Sequence, residues 1–296
     1  MRKFLINSIV FLVGIIIALF LLDILYTYVY NNSFPRNKTQ YILSLKEGEK
    51  LDYIFLGSSR VENSIISSEI ERLTGKRTIN LGTQGARLDD MNIFLRLLIE
   101  KKVKVKRLFI QVDYIYNYES SSDIVRSQAL PYIRRNSVIK DYLKRVDSNY
   151  IKNYYVPFYR YAVNDYRLGF REFFASLANK KSKIDFNYGF VPLNGVMNKK
   201  DIREVELPKS ISKSNKSITE IDSICKINKI DVTYFFSPYC SSLKTNGYIN
   251  KLRSQLSNLE DFSAAVQEDS LFENCAHLNK LGAKVFSNVI VKRLDL

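Results

Sequence analysis

Two residues of this chain have the types and the settings for nucleophilic chemistry: Ser59, and His277, the only histidine. Ser59 follows the apolar run 51–56 and Gly57, a pattern typical of a buried parallel strand that ends in a tight turn. Ligands of open α/β sheets bind at the carboxyl ends of such strands. The Ser59 hydroxyl therefore has two interpretations: an N-cap for the next helix, or a nucleophile that needs a base.

Three separated blocks extend this pattern. They are Gly57-Ser58-Ser59 after the first strand, Asn80-Leu81-Gly82-Thr83-Gln84-Gly85 after the second, and His277-Leu278-Asn279-Lys280-Leu281-Gly282-Ala283 before the last helix. In this order they resemble the SGNH (GDSL-like) hydrolase superfamily, in its membrane-anchored bacterial branch, over roughly residues 50–113 and 215–294. The resemblance implies a flavodoxin-like, three-layer α/β fold with a parallel sheet.

The same resemblance assigns roles to single residues. Ser59 matches the nucleophile, His277 the general base, and the amides of Ser59 and Gly85 the oxyanion hole. Where the family has an orienting aspartate, three residues before the histidine, this chain has Asn274. An asparagine can hold an imidazole tautomer but cannot stabilise the imidazolium by charge. Glu273 is the favoured candidate for an orienting acid.

Two further departures concern the acid and the oxyanion hole. Asp269 and Asp261 are the alternatives to Glu273 as the orienting acid. At the position where the family supplies an oxyanion asparagine the chain has Val112, and loss of such a donor typically costs about 100- to 1000-fold in turnover. Gln111 would replace it only if the strand shifted in register, because neighbouring residues point to opposite faces.

The N-terminus, residues 1–30, predicts a transmembrane signal anchor. Residues 4–22 are interrupted only by Asn7, Ser8 and Gly14, and about 20 apolar residues span the hydrocarbon of a bilayer. Arg2 and Lys3 precede the span, so the N-terminus is expected in the cytoplasm and the main domain outside. The alternatives are a cleavable signal peptide, for which residues 19–32 show no cleavage site, and a buried core helix.

The elements that must position the two residues alternate along the chain. Apolar runs predict strands at 51–56, 76–81, 105–112 and 232–236, and helical periodicity predicts helices near 65–74, 88–98, 217–228, 246–256 and 279–293. Such alternation indicates right-handed crossovers and a parallel sheet. The predicted organisation is a juxtamembrane connector at 31–50 and an α/β domain at 51–296.

Residues 114–207 break this alternation and predict a helical insertion rich in Tyr and Lys/Arg. Between Arg126 and Lys183 there are thirteen Lys/Arg, four Asp/Glu and eight Tyr. Basic residues interleaved with aromatics can bind nucleic acid, and the net charge is +15, but an exported domain meets lipid head groups, envelope phosphates and acidic glycans instead. Tyrosines that stack on sugars and tyrosines that pack beneath solvated cations are both open interpretations.

The three cysteines, Cys225, Cys240 and Cys275, leave at least one thiol unpaired in a monomer. Cys240 and Cys275 are expected near the same rim, where a disulfide is an option and free thiols are the favoured interpretation. The spacing of Cys and His predicts no metal site and no cofactor.

These patterns predict a membrane-anchored serine esterase or O-acyltransferase, acetyl being the expected acyl group, that acts on a cell-envelope polysaccharide. Nucleic acid is not an expected partner. The alternative is a catalytically silent protein with the same fold that binds glycan or serves as an assembly partner in envelope polysaccharide biosynthesis.

Overall fold

The structure is a computed structural model that describes residues 1–197 and 205–296. It contains two compact units: one of Met1–Gln40 with Val125–Ser182, the other of Tyr41–Ile124 with Lys183–Leu296. The insertion predicted at 114–207 thus differs from the segment that leaves the larger unit, which is Val125–Ser182 and folds with the N-terminal helix. Residues 198–204 of the predicted insertion lie outside the described residues.

The helices are α1 (Arg2–Asn32), α2 (Lys38–Ser44), α3 (Ser59–Glu62), α4 (Ser67–Thr74), α5 (Leu88–Glu100), α6 (Asp123–Ala129), α7 (Ser137–Val146), α8 (Tyr150–Tyr155), α9 (Tyr159–Ala162), α10 (Asp165–Leu168), α11 (Phe170–Leu177), α12 (Lys216–Asn228), α13 (Tyr248–Gln255) and α14 (Lys280–Arg293). The strands are β1 (Lys50–Leu56), β2 (Thr78–Asn80), β3 (Lys104–Gln111), β4 (Val205–Glu206), β5 (Asp231–Phe236), β6 (Leu243–Lys244), β7 (Leu259–Asp261), β8 (Phe272–Asn274) and β9 (His277–Leu278).

The larger unit is an α/β structure with a central five-stranded parallel sheet, which confirms the predicted fold class at this level. The strand order is β2-β1-β3-β5-β7, so the chain changes direction across the sheet between β1 and β3. Loops that follow strands on either side of such a switch point diverge and leave a crevice. The turns after β1 and β3 therefore border the crevice where a ligand can bind.

Burial of both sheet faces explains the apolar runs of β1 and of the second half of β3, whose last four residues are buried. Residues 51–56 are all buried, and the rings of Phe55 and Phe109 stack at 4.6 Å between centroids on neighbouring strands. Helices pack on the sheet through their apolar sides, and α5 buries ten of its thirteen residues. Capping fixes the helix ends: Gly75, with φ of +66°, ends α4, and the Asn279 side chain accepts from two amides at the start of α14.

The smaller unit is built on the second half of α1. No residue of 4–22 is buried, whereas Asp23, Tyr26, Thr27, Val29 and Tyr30 are. The two tyrosines join a cluster of rings with Tyr161 and Phe173, and the Tyr26 and Phe173 rings stack at 4.0 Å. The insertion helices thus supply the core that the end of α1 needs, a partnership that composition alone did not predict.

The cysteines correct one expectation. Cys240 and Cys275 form a disulfide, whereas free thiols were the favoured interpretation. The reason is local: the Cys240 amide donates to the Cys275 carbonyl at 3.0 Å, which aligns the two backbones side by side. Cys225 is the remaining free thiol, and it is buried in α12.

Candidate active site

Ser59 sits where β1 turns into α3. Gly57 allows this turn to be tight, because a Cβ at that position would lie 2.2 Å from Cγ2 of Val61. The N-cap of α3 is Ser58, whose hydroxyl accepts from the Arg60 amide and donates to Oε1 of Gln111 at 2.9 Å. Because Ser58 caps the helix, the hydroxyl of Ser59 is available for another partner.

That partner is His277, which stands in β9 and lies 218 residues away in the sequence. Oγ of Ser59 is 2.8 Å from Nε2 of His277. On the other side of the ring, Nδ1 is 2.9 Å from Oδ1 of Asn274, its partner in the β8–β9 hairpin. The structure therefore brings Ser59, His277 and Asn274 into one hydrogen-bonded chain.

The Asn274 amide also sets the tautomer of the imidazole. Oδ1 of Asn274 accepts from the Ala276 amide at 3.1 Å, which identifies that atom as the oxygen. An oxygen facing Nδ1 requires the proton on Nδ1, and this leaves a lone pair on Nε2. The Ser59 hydroxyl then donates to Nε2, the orientation needed for general-base catalysis.

The surroundings keep this imidazole neutral. Burial lowers the pKa of His277, the positive charge of Arg60 lowers it further, and the negative charge of Glu273 opposes both. A neutral imidazole can accept a proton, whereas an imidazolium cannot. His277 is therefore in its basic form at neutral pH.

Glu273, the favoured orienting acid, lies elsewhere. Its Oε2 accepts from the Gly195 amide at 3.2 Å, whereas Nδ1 of His277 is bonded to Asn274. The register of the β8–β9 pair places Asn274 opposite His277, and Glu273 falls at an irregularity between Phe272 and Asn274. The other two acids accept from serines: Asp269 from Ser241, and Asp261 from the Ser263 amide.

The predicted oxyanion residues lie on one cleft. Gly85 has φ of +68°, in the left-handed region that favours glycine. Within the part of the chain that the structure describes, the amides of Ser59 and Gly85 have no acceptor. Both residues line a cleft of about 330 Å³ together with His277. Two unpaired amides beside an activated hydroxyl can hold a developing oxyanion.

The side chains at the position of the family's oxyanion asparagine do not reach this cleft. Val112 and Gln111 are both fully buried. Oε1 of Gln111 accepts from Ser58, and Nε2 of Gln111 donates to Oδ2 of Asp113 at 2.7 Å. Gln111 therefore supports the turn that carries Ser59, and it is not an oxyanion donor.

Sequence reasoning missed Arg60, which joins the parts of the site. It is 4% exposed and forms a buried ion pair with Asp113. Its other contacts are the carbonyls of Ser237 at 2.9 Å, Pro238 at 3.0 Å and Ala276 at 3.3 Å, and the ring of Tyr239, 3.7 Å from the guanidinium carbon. Arg60 thereby ties the Ser59 turn to the loop that carries His277 and to the loop after β5.

The disulfide reinforces the same region. Cys275 lies two residues before His277, and its bond to Cys240 anchors the hairpin to the loop after β5. Arg60 and the disulfide therefore restrain the histidine loop from two sides, and the short distance between Oγ and Nε2 depends on that loop.

Two half-exposed tyrosines form another part of the cleft wall. Tyr114 is 41% and Tyr118 46% exposed, and their rings meet edge to face at 6.2 Å between centroids. Tyrosine rings present an apolar face with a polar tip, which suits the faces of sugar rings. By contrast Tyr132, Tyr142 and Tyr161, which composition had pointed to, are buried.

Among residues 1–197 and 205–296 no group of three or more His, Cys, Asp or Glu could hold a metal ion. Comparisons with known proteins give no assignment, since no protein-family model and no curated protein matches the chain. The geometry of the Ser59 cleft is therefore the basis for a functional proposal.

Proposed function

We propose that this protein is a membrane-anchored serine esterase or O-acyltransferase, of the flavodoxin-like SGNH type, that acts on acyl esters of a cell-envelope polysaccharide. The observation that carries the proposal is the chain from Ser59 through His277 to Asn274, which opens on a cleft beside the Gly85 amide. No step requires a cofactor.

The reaction has two halves. As Oγ of Ser59 attacks the ester carbonyl, its proton passes to Nε2 of His277, and the amides of Ser59 and Gly85 hold the tetrahedral oxyanion. His277 then protonates the departing alcohol, and an acyl-Ser59 ester remains. Water or a sugar hydroxyl, deprotonated by His277, attacks this ester and restores the free serine. Water makes the protein an esterase and the sugar hydroxyl makes it an O-acyltransferase.

Two features support a glycan and a short acyl group. Tyr114 and Tyr118 offer ring faces for a sugar beside Ser59. A volume of about 330 Å³ is at the small end of ligand sites, which favours a group such as acetyl at the serine.

The exported, membrane-bound location is part of the proposal. The described residues contain one helix long and apolar enough to cross a membrane, Arg2–Asn32. Arg2 and Lys3 favour a cytoplasmic N-terminus. The Cys240–Cys275 disulfide supports an oxidising compartment for the larger unit.

A catalytically silent role is the second candidate. Two observations favour it. The imidazole partner is the uncharged and exposed Asn274, and the position of the family's oxyanion asparagine is occupied by the buried Val112. Such a protein would use the cleft to hold a glycan without reacting with it.

Reaction with a serine-directed fluorophosphonate separates the two candidates. The detergent-solubilised full chain is expected to be labelled, and labelling should disappear in both Ser59→Ala and His277→Ala. Ser254→Ala is the matched control, since it removes an exposed serine hydroxyl of α13 that does not line the cleft, and it should retain labelling. Absence of labelling in the folded wild type would contradict the enzymatic proposal and favour the silent one.

A further inference from the structure

The smaller unit leaves large apolar side chains exposed on a helix whose other side is buried. On α11, Phe173 packs against Tyr26 of α1. Phe170, Phe174 and Leu177, spaced by four and three residues, are 69%, 48% and 54% exposed. Residues at this spacing share one face of a helix. The helix therefore has two apolar faces, and the described residues of the smaller unit cover one of them.

A second helix repeats the pattern. On α8, Ile151 and Tyr155 are four residues apart, and they are 64% and 67% exposed. Val156 follows at 44%, and Tyr166, on α10, is 71% exposed. Large apolar side chains that are exposed in groups usually mark a contact with an apolar phase or partner.

The length of α1 gives the depth of these residues relative to the bilayer. Residues 4–22, none of them buried, rise about 28 Å at 1.5 Å per residue, close to the roughly 30 Å hydrocarbon thickness of a bilayer. Burial of α1 begins at Asp23, which is 3% exposed. If the span lies in the hydrocarbon, Asp23 marks the edge of the head-group layer.

Hydrogen bonds to Asp23 fix the position of the insertion along α1. Oδ2 of Asp23 accepts from the Phe158 amide at 2.7 Å, and Oδ1 accepts from Arg160 at 2.7 Å and from Arg134 at 3.0 Å. The backbone at Phe158 therefore lies level with the hydrocarbon edge. Exposed Tyr155 and Val156 come three and two residues before it.

The second apolar face is linked to α1 through Tyr26. Tyr26 is three residues beyond Asp23, or about 4.5 Å further along α1. Phe173 stacks on Tyr26, and the rings of Phe174 and Phe170 follow at 5.3 and 4.7 Å from one ring to the next. The head-group layer is about 5–7 Å thick on each side, so Tyr26, with Phe173 stacked on it, lies within its depth.

The charge of the segment fits the same environment. Between Arg126 and Lys183 the sequence has thirteen Lys/Arg and only four Asp/Glu. Lys and Arg near a membrane surface are attracted to anionic lipids, and amphipathic aromatic rings favour the interface.

We propose that the smaller unit is an interfacial collar, whose exposed apolar side chains enter the head-group layer of the bilayer that α1 crosses. The collar is the set Ile151, Tyr155, Val156, Tyr166, Phe170, Phe174 and Leu177. Its partner is a lipid surface with anionic head groups. The inference rests on the proposed membrane insertion of α1, and it does not depend on the chemistry at Ser59.

Tryptophan fluorescence tests the collar directly, because the chain contains no tryptophan. Four single variants of the full chain are reconstituted into phosphatidylcholine–phosphatidylglycerol vesicles: Phe170→Trp and Tyr155→Trp in the collar, Leu12→Trp in the span, and Ile227→Trp on α12. Ile227 is the matched control, since it is an apolar residue 76% exposed on the larger unit. Circular dichroism checks that each variant is folded.

Brominated lipids and aqueous iodide are the quenchers. Collar tryptophans should emit at shorter wavelength than Ile227→Trp, lose most of their emission to lipids brominated near the carbonyl groups, and be largely protected from iodide. Leu12→Trp should respond most to lipids brominated near the chain ends.

Three results would overturn the collar. Iodide quenching of Phe170→Trp and Tyr155→Trp equal to that of Ile227→Trp would place both residues in water. Strong lipid quenching of Ile227→Trp would show that the effect is not specific to the collar. A Leu12→Trp that no lipid quenches would overturn the anchor as well as the collar, while fluorophosphonate labelling reports on Ser59 separately.

Discussion

Replacing Asn274 by aspartate should turn the Ser59–His277 pair into a charged triad. Oδ1 of Asn274 accepts from the Ala276 amide and from Nδ1 of His277, and an aspartate can keep both bonds. The substitution adds a negative charge and changes little else, because no other bond of the Asn274 side chain is part of the arrangement. We expect Asn274→Asp to raise the rate of acylation.

The geometry sets the size of this effect. An Nδ1–Oδ1 distance of 2.9 Å places the new charge about 4 Å from the centre of the imidazolium that forms in the transition state. Two unit charges at that separation attract by about 1 kcal/mol in water and about 4 kcal/mol at an effective dielectric constant of 20. Asn274 is solvent-exposed, so the lower part of this range applies, about 1–2 kcal/mol. That free energy corresponds to roughly a 5- to 30-fold faster reaction.

The assay is hydrolysis of p-nitrophenyl acetate, with kcat/KM compared on the alkaline plateau of the pH profile. The plateau matters because the new charge also raises the pKa of His277 and shifts the acid limb upward. Asn274→Ala is the control for lost orientation and should be slower than wild type, and Ser59→Ala in the Asn274→Asp background supplies the baseline. Because His277 is the only histidine, its NMR signal reports its titration without overlap. An unchanged plateau with a raised histidine pKa would refute the reasoning, since it would show that no imidazolium charge develops in the rate-limiting step.

Three further predictions concern proton binding, the buried ion pair and the disulfide. Burial lowers the pKa of His277, so the acid limb of the wild-type rate profile should lie below the pH of an ordinary histidine; a limb at or above that value contradicts the assignment. Because the unfolded chain binds this proton more readily, urea denaturation should also show stability falling as pH drops from the ordinary histidine pKa through the folded-state value. Arg60→Leu leaves the buried Asp113 without its cation and should lower the free energy of unfolding by about 3–5 kcal/mol. Adding Asp113→Asn should recover part of this loss. If Arg60→Leu costs less than about 1 kcal/mol, the pair is not buried in solution. Cys240→Ser opens a loop of 35 residues, so it should lower the free energy of unfolding by about 3–4 kcal/mol and slow fluorophosphonate labelling. Cys225→Ala, outside the disulfide, should leave labelling unchanged. Equal labelling rates in the two variants would show that the disulfide does not hold the His277 loop.

The sequence predicted those parts of the molecule that follow from local patterns. Apolar runs near residues 51–56, 105–112 and 232–236 predicted buried parallel strands, and each of these strands is present. Ser59 alone could have been an N-cap, and it could be singled out because two further motifs, at 80–85 and 277–283, follow it in the chain. His277 could be singled out because the chain has no other histidine.

What the sequence left open depends on contacts between distant residues. Arg60 was not singled out from the sequence, because its partner Asp113 is 53 residues away and nothing local shows that both are buried. The choice between Glu273 and Asn274 depended on which of them is paired with His277, and the register of β8 with β9 decides this. The pairing of Cys240 with Cys275 depended on the same hairpin.

Ser59 and His277 are 218 residues apart, so the ribosome makes the serine well before the histidine. Ribosomes deliver α1 first, the serine next and the imidazole long afterwards. Until residue 277 has emerged and folded, the hydroxyl of Ser59 is an ordinary alcohol without a base. Under the proposed function, each new molecule therefore acquires its membrane anchor before its serine becomes reactive, and it cannot act on acyl esters during translation.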